Sequence, residues 1–307
     1  MAGAVDPAPE PLAGDIPADA RQDGLLSRRP VSTYFALTFL ISWGGVLAVV
    51  GLGYGRLLVT PEELEPLLAY AVLVMLAGPV VAGPLMIGLV DGRAGLREFG
   101  ARLVRWRVAG RWYAVALLTA PLIVLATLLA LSLVSADFRP EVFVTDAKAA
   151  LLLTGVGVGL VAGLEELGWT GFAAPRLRRR YGVLAVGLIV GVLWGAWHVP
   201  VTVAGSGLPE GGLSLAVLLP PMVFYATVLP AFRVLMVWVY DRTGSLLIAV
   251  VMHATLTATT VVILAPQATG APALIAYHFL LAGGLWAFVV VVTVVNHRQL
   301  RPSGTYR

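Results

Sequence analysis

Eight runs of about twenty apolar residues, each long enough to cross a bilayer core at about 1.5 Å per helical residue, constrain this chain more than any other feature. They fall at 32–54, 66–90, 112–134, 149–176, 182–200, 213–239, 245–265 and 273–295. In hydrocarbon every backbone amide must be paired within its own segment, so the runs are expected as helices and the chain as an all-α, polytopic integral membrane protein. Composition points the same way: with 59% hydrophobic and 12% charged residues in 307, there is too little polar surface for a water-soluble domain. The absence of cysteine removes disulfides, thiolate metal ligands and a cysteine nucleophile together.

Lysine and arginine are retained on the cytoplasmic side of a membrane, so their placement sets the orientation. Counting Arg21, Arg28 and Arg29 before the first span, Arg93 to Arg111 between the second and third, Arg176 to Arg180 between the fourth and fifth, Arg233 and Arg242 near the sixth-to-seventh connection, and Arg298, Arg301 and Arg307 at the end, 18 of 21 basic residues share one side. Only Arg56, Arg139 and Lys148 fall on the other. Both termini are therefore expected in the cytoplasm. The net charge of +4 follows membrane sidedness and is no sign of nucleic-acid binding. Residues 1–30, rich in Pro, Ala, Gly and Asp, read as a disordered tail rather than a signal peptide, since the apolar run after Arg29 is long enough to span. Residues 31–110 read as two N-terminal spans plus a basic segment, 111–297 as a helical core, and 298–307 as a second tail. The stretch 93–112, with Trp106 and Trp112 among arginines, reads equally as an interfacial helix on anionic lipid or a solvated basic loop.

Few polar residues interrupt the spans: Glu165, Glu166, His198, Arg233, His253 and His278. A lone intramembrane histidine, such as His278, is most simply bonded to a neighbouring carbonyl. Arg233 either snorkels to the membrane surface or balances a buried carboxylate. The adjacent pair Glu165 and Glu166 carries more weight, because two neighbouring carboxylates in low dielectric cannot both stay ionised cheaply, which suits one of them to proton exchange. Gly155, Gly159 and Gly163 form a small-residue ridge on the fourth span, and Gly187, Gly191 and Gly195 form another on the fifth. Such ridges let helices approach closely in lipid. At 100° per residue His198 and Glu166 each stand three residues past their ridge, so spacing favours Glu166 over Glu165 at this interface. Glu165 lies 11 residues before Arg176, about 16 Å into the membrane.

The segments EELGWTGFAAPRL, LWGAWHVP and YDRTGSLLIAVVMHATLT resemble, in order, the three motifs EExxxR, FxxxH and HxxxN of the CPBP intramembrane proteases. That family includes CAAX prenyl endopeptidases and bacterial bacteriocin-immunity (Abi) relatives, and the resemblance covers about residues 110–295. This chain departs from the motifs at Thr170 in place of arginine, Trp194 in place of phenylalanine and Thr257 in place of asparagine. The resemblance implies an intramembrane endopeptidase of the bacterial plasma membrane, acting on a membrane-associated peptide or lipidated protein. It makes Glu165, with Glu166 beside it, the water-activating acid, His198 and His253 its partners, and Thr257 the group at the asparagine position. One turn past His253, Thr257 carries a hydroxyl donor or simply bonds its own helix.

No cofactor is required by this chemistry, yet Glu165, His198 and His253 are also a ligand set for zinc, and both versions stay open. Pro220, Pro221 and Pro230 break the sixth span and either kink it or open a lateral path. A serine-type site is disfavoured, because Ser206 sits in a loop, and an aspartyl type lacks a partner for the Tyr240-Asp241 pair. Outside proteolysis, the glutamates suit a proton- or cation-coupled transporter, and loss of the motif arginine and asparagine suits a catalytically impaired immunity or scaffold protein.

Overall fold

The computed structural model describes residues 28–296. The tails up to 27 and from 298, and His297, lie outside the described residues. Each apolar run becomes a helix: α1 Pro30–Tyr54, α2 Pro61–Leu103, α3 Gly110–Ser132, α4 Lys148–Arg178, α5 Val183–Ala204, α6 Leu215–Thr243, α7 Leu246–Ile263 and α8 Ala271–Val295. Among the described residues two isolated bridges are the only β pairing. The chain is an all-α, polytopic membrane protein. Its outer surface carries side chains such as Leu40, Leu52, Leu133 and Val295, an apolar belt that only lipid would cover.

The helices are interrupted where the backbone is locally free or forced. At Gly92 α2 turns through a left-handed φ of 62°, a conformation that suits glycine, and the remainder to Leu103 bends back onto the protein. There Arg102 donates from Nη1 to the Tyr240 hydroxyl at 2.7 Å and from Nη2 to the Gly171 carbonyl at 3.2 Å. Ser245 donates to the carbonyl of Arg105 at 2.6 Å. The 93–112 stretch is thus a helical segment from the Gly92 kink to Leu103, followed by irregular chain up to the start of α3 at Gly110. Arg102 ties it to α4 and α6, while Arg93, Leu96, Arg97, Glu98 and Trp106 are exposed. π-helical turns at Trp169–Ala173, Phe224–Val228 and Ala258–Ile263 interrupt α4, α6 and α7. Such turns re-aim the side chains around them.

The two glycine ridges do not meet each other. The α4 ridge receives α7: a Cβ on Gly159 would stand 2.3 Å from the Ala254 carbonyl oxygen, and one on Gly163 would stand 2.9 Å from that of Val250. The α5 ridge receives α6, with Gly187 against Val234, Gly191 against Pro230 and Gly195 against the Tyr225 carbonyl. A ridge without side chains selects any neighbour whose backbone can lie in it, and sequence spacing does not name that neighbour. The consequence is functional: close approach at Gly163 brings His253 to the glutamate pair, and close approach at Gly191 brings Arg233 there.

Gly157 faces open space while Gly159 is in backbone contact. Gly159→Ala is expected to lower stability by about 1–3 kcal/mol through overpacking. Gly157→Ala should leave it unchanged or raise it by up to about 1 kcal/mol through helix propensity. Thermal unfolding of both variants in detergent micelles checks the contrast, and equal effects would contradict the packing described.

Candidate active site

The fourth helix tightens just where it carries its acids. The amides of Leu164, Glu165, Leu167 and Gly168 all bond to the carbonyl three residues back. Three residues per turn advance each side chain by about 120° instead of 100°, so the face computed from ideal spacing is no longer the face presented. This corrects the ridge reading that favoured Glu166 toward α5. Glu165 is the residue that meets α5, its Oε2 accepting from Trp194 Nε1 at 2.7 Å and from Trp169 Nε1 at 3.2 Å. Glu166 turns the other way, toward α6 and α7.

Glu166 and Arg233 are both 0% exposed. Arg233 Nη1 donates to Glu166 Oε2 at 2.7 Å and Nη2 donates to Oε1 at 2.9 Å, a two-pronged pair. The Thr170 hydroxyl also donates to Oε2, and the Arg233 guanidinium lies 4.2 Å over the Trp194 ring. Of the two roles open to Arg233, the second holds: it balances a buried carboxylate and does not belong with the basic residues of the membrane face. Where the resembled motif carries arginine at position 170, this chain has threonine and brings a guanidinium to the same carboxylate from α6 instead.

The Glu166 carboxylate accepts from His253 Nδ1 at 2.7 Å through Oε1. Nδ1 therefore carries a proton, so that in the neutral ring Nε2 is bare, and Nε2 stands 4.0 Å from Glu165 Oε1. His198 is fixed by the same logic, since a carbonyl can only accept: its Nδ1 bonds the Trp194 carbonyl at 2.8 Å, leaving Nε2 as an acceptor. Its ring stacks on Tyr225 at 4.8 Å, and Trp194 meets His253 edge to face at 4.8 Å.

Glu165, His198, His253 and Thr257 line one cavity of about 330 Å³, and Glu166 lies behind its wall. Thr255 and Thr260 bond their own helix carbonyls at i−4, and Thr257 and Thr260 are both part of the cavity wall. His278 donates from Nδ1 to the Pro220 carbonyl at 2.9 Å, the simple role expected of it, and also borders the cavity. Pro220 and Pro221 form part of the wall, while Pro230 is buried against Gly191, so the three prolines do not act together. Val261, 61% exposed on the outer surface, lines the cavity as well, so the space reaches the lipid-facing side. Asp241 is engaged by Arg178 through two bonds of 2.8 and 2.9 Å, which accounts for the Tyr240-Asp241 pair structurally.

Three contributors escaped the sequence reading. Trp194 differs from phenylalanine in more than size, because a buried indole N–H needs an acceptor, and here that acceptor is Glu165. Trp169 is the second indole donor to Glu165, and Tyr225 stacks on His198 in the cavity wall. As for a metal, the donor types suit zinc, with two Nε2 lone pairs and a carboxylate. Among the described residues, however, no three such side chains close on a common point at ligating distance.

Residues 146–259 match the family model described as Type II CAAX prenyl endopeptidase Rce1-like. The chain is also similar to CAAX prenyl protease 2 of Methanococcus maripaludis, 27% identical over 120 residues, which is 39% of this chain and 39% of that protein. The similarity therefore spans well under half of the curated relative. Glu165, His198, Arg233 and His253 all fall inside the matched segment.

Removing Arg233 strands a buried carboxylate. Arg233→Ala is expected to cost about 3–5 kcal/mol, and adding Thr170→Arg, which returns a guanidinium one turn from Glu166, should recover a large part of it. Thermal unfolding midpoints of the single and double variants decide this. A single variant as stable as the parent would contradict the role assigned to the pair.

Proposed function

We propose that this chain, whose residues 146–259 match the Rce1-like CAAX prenyl endopeptidase model, is a protease of that kind and hydrolyses a peptide bond of a membrane-associated substrate with water activated by Glu165. The observation that carries the reading is the 4.0 Å separation between Glu165 Oε1 and His253 Nε2 in a cavity also lined by His198 and Thr257. A water oxygen beside that gap, off the line joining the two atoms, is within hydrogen-bond reach of acid and imidazole together.

In this reading the water directs one hydrogen at Glu165 and the other at an imidazole Nε2, and its oxygen attacks the peptide carbonyl as Glu165 takes the first proton. The carbonyl becomes a tetrahedral oxyanion, to which the Thr257 hydroxyl donates. Glu165 then passes its proton to the leaving nitrogen and the C–N bond breaks. Glu166 and Arg233 stay outside the reacting atoms and hold His253 in the tautomer that keeps Nε2 bare. Should zinc be bound, Glu165, His198 and His253 would be its ligands and it would supply Lewis-acid polarisation.

The walls support a substrate class. Pro220, Phe224, Leu256, Val261 and Leu274 are apolar, and Val261 is exposed on the outer surface, which suits a peptide carrying an apolar or prenyl group arriving within the membrane. We place the arginine-bearing face in the cytoplasm by the lysine and arginine asymmetry, and the protein in a bacterial plasma membrane by the family resemblance alone.

The test is cleavage of a membrane-anchored peptide by the purified chain. Glu165→Gln is expected to reduce turnover by about 10²–10⁴-fold, and Trp194→Phe, which removes one donor to that carboxylate, by about tenfold. A chelator leaves the rate unchanged if the glutamate acts alone, and abolishes it with recovery on added zinc if a metal is bound. An unaffected Glu165→Gln variant would sink the catalytic assignment. Proton-driven uptake in liposomes without cleavage would favour the transporter instead, and parental levels of cellular protection without cleavage the scaffold.

A further inference from the structure

A second cavity, of about 660 Å³, lies at the arginine-bearing end of the helices and plays no part in the chemistry above. Its walls come from the start of α1, the end of the first segment of α2 and the end of α4. They present five arginines, Arg28, Arg29, Arg176, Arg179 and Arg180, against one aspartate, Asp91. Arg176 is committed to Asp91, and its guanidinium also lies 3.8 Å over the Phe172 ring. The aspartate is therefore already balanced within the protein, and Arg29, Arg179 and Arg180 border the cavity with no further acid among its described lining residues. Helix α1 begins there without a side-chain cap and without an acid in its first turn, so its free amide dipoles add to the same potential. Tyr181, amphipathic and 43% exposed, also borders the cavity, as suits a residue at the headgroup level.

We propose that this cavity binds the phosphate of an anionic lipid headgroup. Phosphate chemistry is indicated because guanidinium groups from two separate chain segments, the start of α1 and the end of α4, line one space, and guanidinium groups pair readily with phosphate oxygens. The lipid source is indicated because the cavity opens where spans α1 and α4 leave the membrane, so acyl chains can lie along the apolar belt while the headgroup enters. Occupancy would brace α4, the helix that carries Glu165, against α1. The inference stands on charge and cavity alone and does not require proteolysis.

The experiment uses the full chain in detergent micelles, supplemented in parallel with phosphatidylglycerol, phosphatidylcholine of the same acyl chains, or inorganic phosphate. Retained adducts are counted by native mass spectrometry. The chain is expected to hold phosphatidylglycerol in preference to phosphatidylcholine. The exposed triple variant Arg29→Gln, Arg179→Gln, Arg180→Gln should lose that preference, each neutralised arginine weakening binding by about fivefold. A control triple variant at Arg97, Arg107 and Arg111, on the same face but outside the cavity, should keep it. Equal retention of the two lipids overturns the proposal, as does equal loss in both variants, which would mean diffuse attraction. Inorganic phosphate that displaces phosphatidylglycerol at equal concentration would make the site one for a free anion and overturn the lipid assignment.

Discussion

The Arg233–Glu166 pair is the constraint from which the arrangement of the site follows. Two full charges out of reach of water are costly, and they persist only when each satisfies the other with good geometry and further hydrogen bonds. Here the carboxylate receives two guanidinium bonds, the Thr170 hydroxyl and His253 Nδ1. Every one of these donors comes from a different turn or helix, so satisfying Glu166 ties α4, α6 and α7 together at one depth. The imidazole that results points its remaining nitrogen into the cavity.

Two adjacent acids thereby take different tasks through environment alone. Glu166 is surrounded by donors and stays a fixed anion. Glu165, one residue earlier, accepts from two indoles on Oε2 and keeps Oε1 facing His253 across the cavity. The tightened turn between Leu164 and Gly168 produces this division, since it rotates neighbouring side chains further apart than a regular α-helix would. The glycine ridges then allow α7 and α6 to come near enough for both acids to find their partners.

Much of this was legible in the residues. The eight spans could be read from apolar run length, and the residues later found around one cavity stood out because charge and imidazole are rare in lipid-facing sequence. The motif order supplied Thr257, which helix spacing placed one turn from His253. What could not be read was the pairing between helices. Gly155 to Gly163 announce a close neighbour without saying it is α7, and Arg233 reads equally as a surface residue until α6 is placed. The 100° rule failed at Glu165 because nothing in Gly-Leu-Glu-Glu-Leu-Gly reveals a switch to bonding three residues back. Trp194 was undervalued because its resemblance to phenylalanine in shape concealed its N–H.

The central claim is that Glu166, held by Arg233, fixes His253 with the proton on Nδ1 and a bare Nε2 facing Glu165. The ¹⁵N NMR spectrum of histidine-labelled protein reads this directly, with the His253 signals assigned by their loss in His253→Asn. The account predicts a neutral ring protonated at Nδ1 in the parent and a loss of that preference in Glu166→Leu. A parent spectrum with the proton on Nε2, or one unchanged by removing Glu166, would contradict it.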